Sequence, residues 1–287
     1  QAPYDDHLQA VAIQSSKENL HPELIEWADL IYIMHKPDWV ISNWAKIKHK
    51  RVVWRSIGQS TSDIEIQLTI PKLEGLKIVR YSPMEKNIPG FIGEDVMIRF
   101  YKDEKEFGDY SGEKEYVITM AQSMQKRGQF CRFDIFNEVT KDFPRKLFGP
   151  DNEVSGIEGG LLSYNDLRNA YRRHRVYFYT GTYPASYTLN FMEALMTGIP
   201  IVAIGKGLAD LNIWPLNTYE VDQIIRHGEN GYISDDLDTL KTMVRILLEN
   251  PTEARVIGKE GRKTAISLFG KETIKKQWEE FFSQQCG

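Results

Sequence analysis

The sequence has little cysteine: only 2 of its 287 residues, Cys131 and Cys286, and they form no CxxC pair. A disulfide framework needs several cysteines and a zinc knuckle needs close pairs of them, so neither is expected. The 6 histidines are scattered and lack the i, i+4 spacing of a helical zinc site. We therefore expect two unpaired thiols, as in a reducing compartment, and no metal site.

Long hydrophobic runs are also absent. No apolar stretch approaches the ~20 residues that span a bilayer, and no basic-then-apolar signal segment opens the chain. The chain starts with Gln1 rather than Met, as a processed or shortened chain does. The sequence predicts a cytoplasmic protein.

An excess of positive charge is missing as well. The chain carries 36 Lys and Arg against 40 Asp and Glu, a net charge of −4. Without a general basic field, no nucleic-acid partner is expected. One local basic cluster is interpreted as a solvated helix end, with weak docking to a membrane surface or a polyanion as the minor alternative. It consists of Arg168, Arg172, Arg173, His174 and Arg175.

What the sequence does contain is a repeated alternation of short apolar strands and amphipathic helices, in a chain that is 41% hydrophobic. Strands are predicted at 30–34, 51–55, 76–81, 116–121, 145–149, 176–179 and 199–204. Helices are predicted at 39–48, 64–73, 132–142, 164–173, 189–196, 237–249, 253–268 and 272–284. Near-continuous apolar strands that alternate with helices are typical of an α/β fold with parallel sheets.

Between residues 85 and 114 this alternation breaks, at Pro89, Gly90 and Gly93 and then in a charged stretch. We interpret the segment as an interdomain linker, with a long surface excursion of one large domain as the alternative. The predicted organisation is an N-terminal domain over 1–108, a C-terminal domain over 109–268 and a last helix over 269–287. Ligands of open parallel sheets bind at the carboxyl ends of the strands, so a cleft is expected there.

The segment 180–203 joins a strand end, a loop of small residues, an apolar helix and another strand. Backbone N–H groups where the helix starts, near Thr188, favour a phosphate. Glu193 lies in the otherwise apolar helix, where a carboxylate needs water or a hydrogen-bonding partner, and ribose hydroxyls are natural partners. An exposed Glu on the polar stripe of the helix is the alternative.

This segment resembles the donor-site signature of retaining glycosyltransferases of the GT-B fold, in the large family 4. That signature is Glu-Pro-Phe-Gly, a short apolar helix, Glu-Ala and a Gly-x-Pro-Val-Val-Ala strand. Here residues 186–189 occupy the loop, Glu193 and Ala194 the second acidic position, and residues 198–203 the strand. Residues 160–167, 227–233 and 248–269 resemble further family motifs in the same order, so the resemblance spans about 116 to 282.

The resemblance implies a GT-B architecture, with two facing Rossmann-like domains that each contain a parallel sheet. The N-terminal domain, here short or atypical, is the acceptor side. The C-terminal domain binds the donor, and the last helix crosses back to the N-terminal domain. The implied enzyme is a metal-independent, retaining glycosyltransferase of the hexosyl type. Its donor is a nucleotide-diphosphate sugar, with a UDP-sugar favoured and no other cofactor, and its acceptor is a sugar, a glycan or another small molecule.

The resemblance also assigns residues to the donor. Glu193 would hydrogen-bond the ribose, and the backbone of the loop would hold the diphosphate. The loop residues are Ser186, Tyr187, Thr188 and Leu189. After the first strand of this domain, Gln122 stands where the family has Arg and Arg127 where it has Lys, with Lys126 adjacent. Arg127 or Lys126 would stabilise the leaving diphosphate.

In the N-terminal half, His35 resembles the family's histidine after an acceptor-domain strand and would face the sugar or acceptor. A histidine that ends an apolar strand as a structural residue is the alternative. The segment 56–59 resembles the following loop, where Gly58 would allow a ligand to approach closely. No opening strand and no glycine occur in residues 1–26.

Two competing functions come from other classes, and departures at the donor site favour the first of them. Ala185 occupies the first Glu of the family's acidic pair, Thr188 replaces a loop glycine and Gln122 replaces a cation. The chain could then be a catalytically weak nucleotide-sugar-binding or scaffold protein. A GT-B-fold nucleotide-sugar epimerase is the other alternative.

Two further patterns are given less weight. Residues 205–210 imitate a dinucleotide fingerprint but lack its third glycine, so NAD is not expected. Asp235, Asp236 and Asp238 are interpreted as carboxylates at a helix start rather than as metal ligands.

Overall fold

The computed structural model describes residues 8–9, 12, 14–15, 19–58, 60–152, 156–213 and 218–286. The chain divides into two compact units. The first consists of Gln1–Arg99 and Gln277–Gly287, and the second of Phe100–Lys276. Within the described residues, no helix combines the length and the apolar character needed to cross a membrane.

The first unit contains a four-stranded parallel sheet in the order β1-β2-β3-β4. Its strands are β1 (Leu30–Met34), β2 (Arg51–Arg55), β3 (Lys77–Arg80) and β4 (Val96–Met97), and its helices are α1 (Pro22–Trp27), α2 (Pro37–Ile47) and α3 (Ser62–Leu73). The core lies where the apolar strands meet the buried faces of α2 and α3. Its members include Ile33, Val40, Trp44, Ile47, Val52, Trp54, Leu68 and Ile78.

Residues of the last helix complete this unit. The rings of Trp278 and Tyr32 pack in a T-shaped arrangement with their centroids 5.7 Å apart. The guanidinium carbon of Arg55 lies 5.1 Å from the centroid of the Trp278 ring. The ring of Phe282 stacks on that of Trp278, with the two centroids 5.3 Å apart. These contacts join the end of the chain to β1 and β2.

The second unit contains a six-stranded parallel sheet in the order β10-β9-β8-β5-β6-β7. Its strands are β5 (Lys114–Met120), β6 (Arg145–Phe148), β7 (Glu158–Gly160), β8 (His174–Tyr179), β9 (Ile201–Ile204) and β10 (Tyr232–Ser234). The chain builds outward from β5 to β7, then returns to the other side of β5 and continues to β10. The order therefore reverses between β5 and β8, which makes their carboxyl ends the switch point of the sheet.

The helices of the second unit cover this sheet. They are α4 (Met124–Arg127), α5 (Phe133–Thr140), α6 (Tyr164–Arg173), α7 (Leu189–Thr197), α8 (Lys206–Ala209), α9 (Val221–Ile224), α10 (Leu237–Glu249) and α11 (Pro251–Phe269); α12 (Lys271–Cys286) passes from the second unit into the first. The α/β class with parallel sheets is confirmed. Ser163 caps α6, because its side chain accepts from the Asp166 N–H.

Two glycines allow α11 to pack closely on neighbouring backbone, one at the end of α7 and one at Asn230 before β10. A Cβ atom on Gly258 would lie 2.0 Å from the carbonyl oxygen of Gly198, which ends α7 in the left-handed region at a φ of 88°. A Cβ atom on Gly261 would lie 2.9 Å from the carbonyl oxygen of Asn230. The close approach of these backbones requires residues without side chains.

The interpretation of 85–114 as one linker is wrong. Val96 and Met97 form β4, which pairs with β3 inside the first unit, whereas the chain from Phe100 belongs to the second unit. A two-residue strand between glycines carries no periodic pattern, so the sequence showed only a break.

The interpretation of the basic cluster as a solvated helix end is also wrong. Arg172 donates to the carbonyls of Gly108 and Glu106, and Arg175 donates to that of Leu248 at 2.7 Å. His174 is buried, with its Nδ1 2.7 Å from the Ala170 carbonyl oxygen. Most of the cluster therefore anchors neighbouring segments of the second unit, and its argument for docking to a membrane or polyanion is lost.

Candidate functional site

A pocket of about 200 Å³ lies at the carboxyl ends of β5 and β6, beside the switch point. The strand ends contribute Met120 and Phe148, and the following turns contribute Gln122, Gly149 and Pro150. The remaining wall is mostly aliphatic and consists of Leu161, Leu162 and Leu167, with Asn190 from α7. A flat, largely apolar group with a polar edge fits such a lining.

Asn152 fixes the turn behind β6 against the turn behind β5. Its Nδ2 donates to the Ala121 carbonyl at 2.6 Å, and its Oδ1 accepts from the Met124 N–H at 2.7 Å. Gly149 has a φ of 122°, and a Cβ atom there would lie 2.2 Å from the Ala121 carbonyl oxygen. Asn152 could not be singled out from the sequence, because its partners lie about 30 residues away and follow no local pattern.

The loop between β8 and α7 ends at the same edge of the sheet. Thr188 is the extended N-cap residue of α7, and its side chain does not cap the helix. The first N–H groups of a helix have no intrahelical partner, so the start of α7 favours an anion. This geometry suits the predicted backbone contacts of the loop.

The side chains of the predicted loop residues do not all face the solvent. Ser186 is fully buried, and Tyr187 is buried against Phe191 and Phe269, with ring centroids 6.4 and 5.3 Å away. Leu189 is 51% exposed at the first position of α7. For Ser186 and Tyr187, any contact with a ligand is therefore left to the backbone.

Glu193 is buried, so its interpretation as an exposed residue on a polar stripe is wrong. Its Oε1 lies 2.5 Å from Lys102 Nζ, and its Oε2 accepts from the Tyr171 hydroxyl at 3.3 Å. The Lys102 and Glu193 side chains are 17% and 11% exposed. Neither Lys102 nor Tyr171 was singled out in the sequence, because they lie 91 and 22 residues from Glu193.

The predicted cationic residues lie on the single turn α4, directly after the β5 loop. Lys126 is exposed and Arg127 is half-buried. In the part of the chain that the structure describes, neither side chain forms a hydrogen bond or an ion pair. Their charges are therefore not neutralised by a neighbouring carboxylate.

No protein-family model and no curated protein matches the sequence. Solved structures do match its fold. Anabaena HepE in complex with UDP superposes with a TM-score of 0.72 at 13% identity, over 92% of this chain and 80% of that one. Sucrose-phosphate synthase from Thermosynechococcus elongatus gives 0.67 at 15% identity, over 99% and 80%. A glycosyltransferase from Rickettsia africae gives 0.69 at 11% identity, over 99% and 83%. The chain has the GT-B fold.

Ala185, for which the resemblance implies an acidic position, lines a second and smaller cavity of about 20 Å³. Phe130, Arg132, Asp210 and Tyr219 contribute to the same cavity. Arg132 donates from Nε to the Leu208 carbonyl at 2.6 Å. The cavity has room for about one water molecule, so a longer side chain at 185 would have to point out of it.

His35 belongs to the other unit of the GT-B fold, where it follows β1 with a φ of 69°. Its N–H donates to the Arg55 carbonyl at 2.9 Å. Partial burial and the neighbouring Lys36 lower the pKa of His35, so its ring is neutral at pH 7.

Gly58 has a different neighbour from the predicted ligand. A Cβ atom at Gly58 would lie 2.3 Å from the Tyr81 hydroxyl oxygen, so the glycine makes room for this tyrosine. Gln59, predicted beside it, lies outside the described residues.

The aspartates near β10 cap helices. Asp236 accepts from the Thr239 N–H at 2.7 Å, and Asp235 accepts from the Leu208 N–H at 2.8 Å. Over the described ranges, no group of three His, Cys, Asp or Glu side chains is arranged to hold a metal ion. Cys131 is a buried free thiol, and burial raises its pKa.

Proposed function

We propose that the protein is a glycosyltransferase that takes a sugar from a nucleotide-diphosphate donor. The observation that carries this proposal is the juxtaposition of the aliphatic pocket and the open start of α7 at one switch point. A nucleoside fits the first and a diphosphate the second. The fold neighbours support it, because HepE was solved with UDP, with UDP-glucose and with UDP and glucose.

The proposed roles follow the geometry of the second unit. The base would occupy the pocket, Glu193 would bind the ribose, and the backbone at Ser186–Leu189 would hold the diphosphate. Arg127 or Lys126 would stabilise the charge of the leaving diphosphate. Gln122 lines the pocket and would contact the nucleotide.

The finer features of the proposal derive from the family resemblance. The transfer would be retaining and metal-independent, with a UDP-sugar as donor and a sugar, glycan or other small acceptor. As the resemblance implies, the leaving phosphate would depart from the face that the acceptor attacks and would take the acceptor proton. His35 would bind the sugar or acceptor, and the cytoplasm is the proposed location.

The first experiment is a thermal-shift assay with UDP, GDP, ADP and NAD, because a ligand of the native state raises the melting temperature. We expect a shift with UDP and none with NAD. The matching nucleotide sugars are then assayed for hydrolysis and transfer. No shift with any nucleoside diphosphate would contradict the donor site.

A binding protein without turnover is the second candidate, and the loss of acidic and basic groups at Ala185 and Gln122 favours it. Nucleotide binding without any sugar release would support this candidate. An epimerase is distinguished by its product, since an epimerised free donor in the absence of acceptor would contradict transfer.

A further inference from the structure

The Glu193 carboxylate is held from both sides before any ligand binds. Lys102 Nζ lies 2.5 Å from Oε1, and the Tyr171 hydroxyl lies 3.3 Å from both Oε2 and the Asn190 carbonyl oxygen, which share its single proton. A buried carboxylate needs such partners, because an isolated charge in the interior is strongly unfavourable. Each oxygen of a carboxylate offers about two acceptor sites, so each can still accept one more hydrogen bond.

Lys102 is itself fixed by backbone contacts. Its N–H donates to the Phe269 carbonyl at 2.9 Å, and it forms an isolated parallel bridge with Gly270. Its ammonium nitrogen lies 5.6 Å from the centroid of the Phe107 ring. The lysine therefore approaches Glu193 from a defined point rather than from a mobile loop.

Tyr171 holds the other oxygen from a fully buried position. Burial raises its pKa well above the usual value, so its hydroxyl stays a donor at neutral pH. Asn190, three positions before Glu193 on α7, lines the pocket of about 200 Å³. The two fixed partners thus orient a carboxylate close to the proposed nucleoside position.

We propose that Lys102 is a positioning residue for the nucleotide ribose: it keeps Glu193 oriented so that the carboxylate accepts from the ribose hydroxyls. This inference rests on the proposed donor site. Tyr171 supports the same orientation from the second oxygen.

The test uses the full chain and two probes, UDP and 2′-deoxy-UDP, in isothermal titration calorimetry. If GDP or ADP is the nucleotide that stabilises the wild type, that nucleotide and its 2′-deoxy analogue are used instead. For the wild type we expect UDP to bind roughly tenfold or more tightly than its deoxy analogue, the range for a hydrogen bond to a charged group. In Lys102→Met this preference should fall below about threefold through loss of UDP affinity.

The matched control is Lys271→Met. Lys271 forms an ion pair with Asp103 at 2.9 Å, so it holds the same segment without touching Glu193. It should keep the wild-type preference for ribose. Equal losses in both variants would mean that the segment is only a structural tether, which would overturn the proposal.

Tyr171→Phe is the second variant, since it removes one donor with little change in volume and tests the same orientation if Lys102→Met does not fold. We expect a reduced ribose preference here too. An unchanged preference in the folded variants, or tighter UDP binding in Lys102→Met, would overturn the inference while leaving the donor site intact. Failure of the wild type to bind any nucleoside diphosphate would overturn both.

Discussion

The Arg80 guanidinium donates to both carboxylate oxygens of Glu65, at 2.8 and 2.7 Å, in the core of the first unit. The two side chains are 1% and 0% exposed. Arg80 also lies over the ring of Phe91, 4.7 Å from its centroid. This bidentate pair connects α3 to β3 where water cannot replace either partner.

Glu65→Ala should therefore destabilise the first unit by about 3–5 kcal/mol, because it leaves a buried guanidinium without its partner. The measurement is urea unfolding followed by tryptophan fluorescence. Asp63→Ala, an exposed position on the same helix, is the control and should change the free energy of unfolding by less than about 0.5 kcal/mol. A similar change in both variants would contradict the role of the pair.

Glu193→Ala should weaken UDP binding by about 1–3 kcal/mol, the cost of removing one partner of a polar contact. Calorimetric titration with UDP measures it. Glu229→Ala is the matched control in the same unit, since Glu229 pairs with Arg226 at an exposed position. Unchanged UDP affinity in Glu193→Ala would remove Glu193 from the site.

Ala185→Glu restores the acidic group that the family signature has at this position. The cavity beside Ala185, about 20 Å³, is too small for the new side chain, which should point out of it. We expect faster release of sugar from a nucleotide sugar. Ala185→Gln has the same size without the charge and should not accelerate it. If neither variant nor the wild type releases sugar, the binding role gains support.

Glu85 gives a pH dependence to the stability of the first unit. Burial raises its pKa above the usual 4.5, although Arg80, Ser56 and the N–H groups of Tyr81 and Ser82 lower it. The folded state then holds the proton more tightly than the unfolded state, so this group adds stability as pH falls through its folded pKa towards 4.5.

Glu85→Gln removes this titration. As the pH is lowered from 7 to 5, we expect the urea midpoint of the wild type to rise relative to that of the variant. The comparison of the two pH slopes isolates the group from other carboxylates. Parallel slopes for the two proteins would contradict the assignment.

Gly258→Ala should destabilise the second unit by about 1–3 kcal/mol, because its methyl group would overlap the Gly198 carbonyl and push α11 from α7. Lys259→Ala, one position along the same helix and exposed, is the control. Chemical unfolding measures both. Equal stability of the two variants would mean that α11 can move away from α7 without a loss in the free energy of unfolding.

The alternation of strands and helices predicted most of the fold. Strand 51–55 and helices 164–173 and 237–249 agree with the structure residue for residue. Apolar periodicity and capping residues are local signals, so they identify such elements directly. Strand β4 was missed because its two residues are too few to show an alternating apolar pattern.

The candidate site was predictable only in part. The loop and helix around Glu193 are contiguous in the sequence and could be singled out together. The contacts of Glu193 with Lys102 and of Asn152 with Ala121 join residues that are 91 and 31 positions apart. No local pattern encodes them. Arg172 and Arg175 were misinterpreted for the same reason, since they donate to carbonyls of distant segments.

The packing of Trp278 against Tyr32 and Arg55 has a consequence for synthesis. The N-terminal part of the first unit ends at Arg99, and Trp278 follows it after a further 179 residues. A ribosome that adds about 5–20 residues per second needs roughly 9–36 s to cover that distance. During this interval β1 and β2 lack their packing contacts with Trp278, while the whole second unit emerges and can fold. The unit that is begun first is thus the one that is finished last.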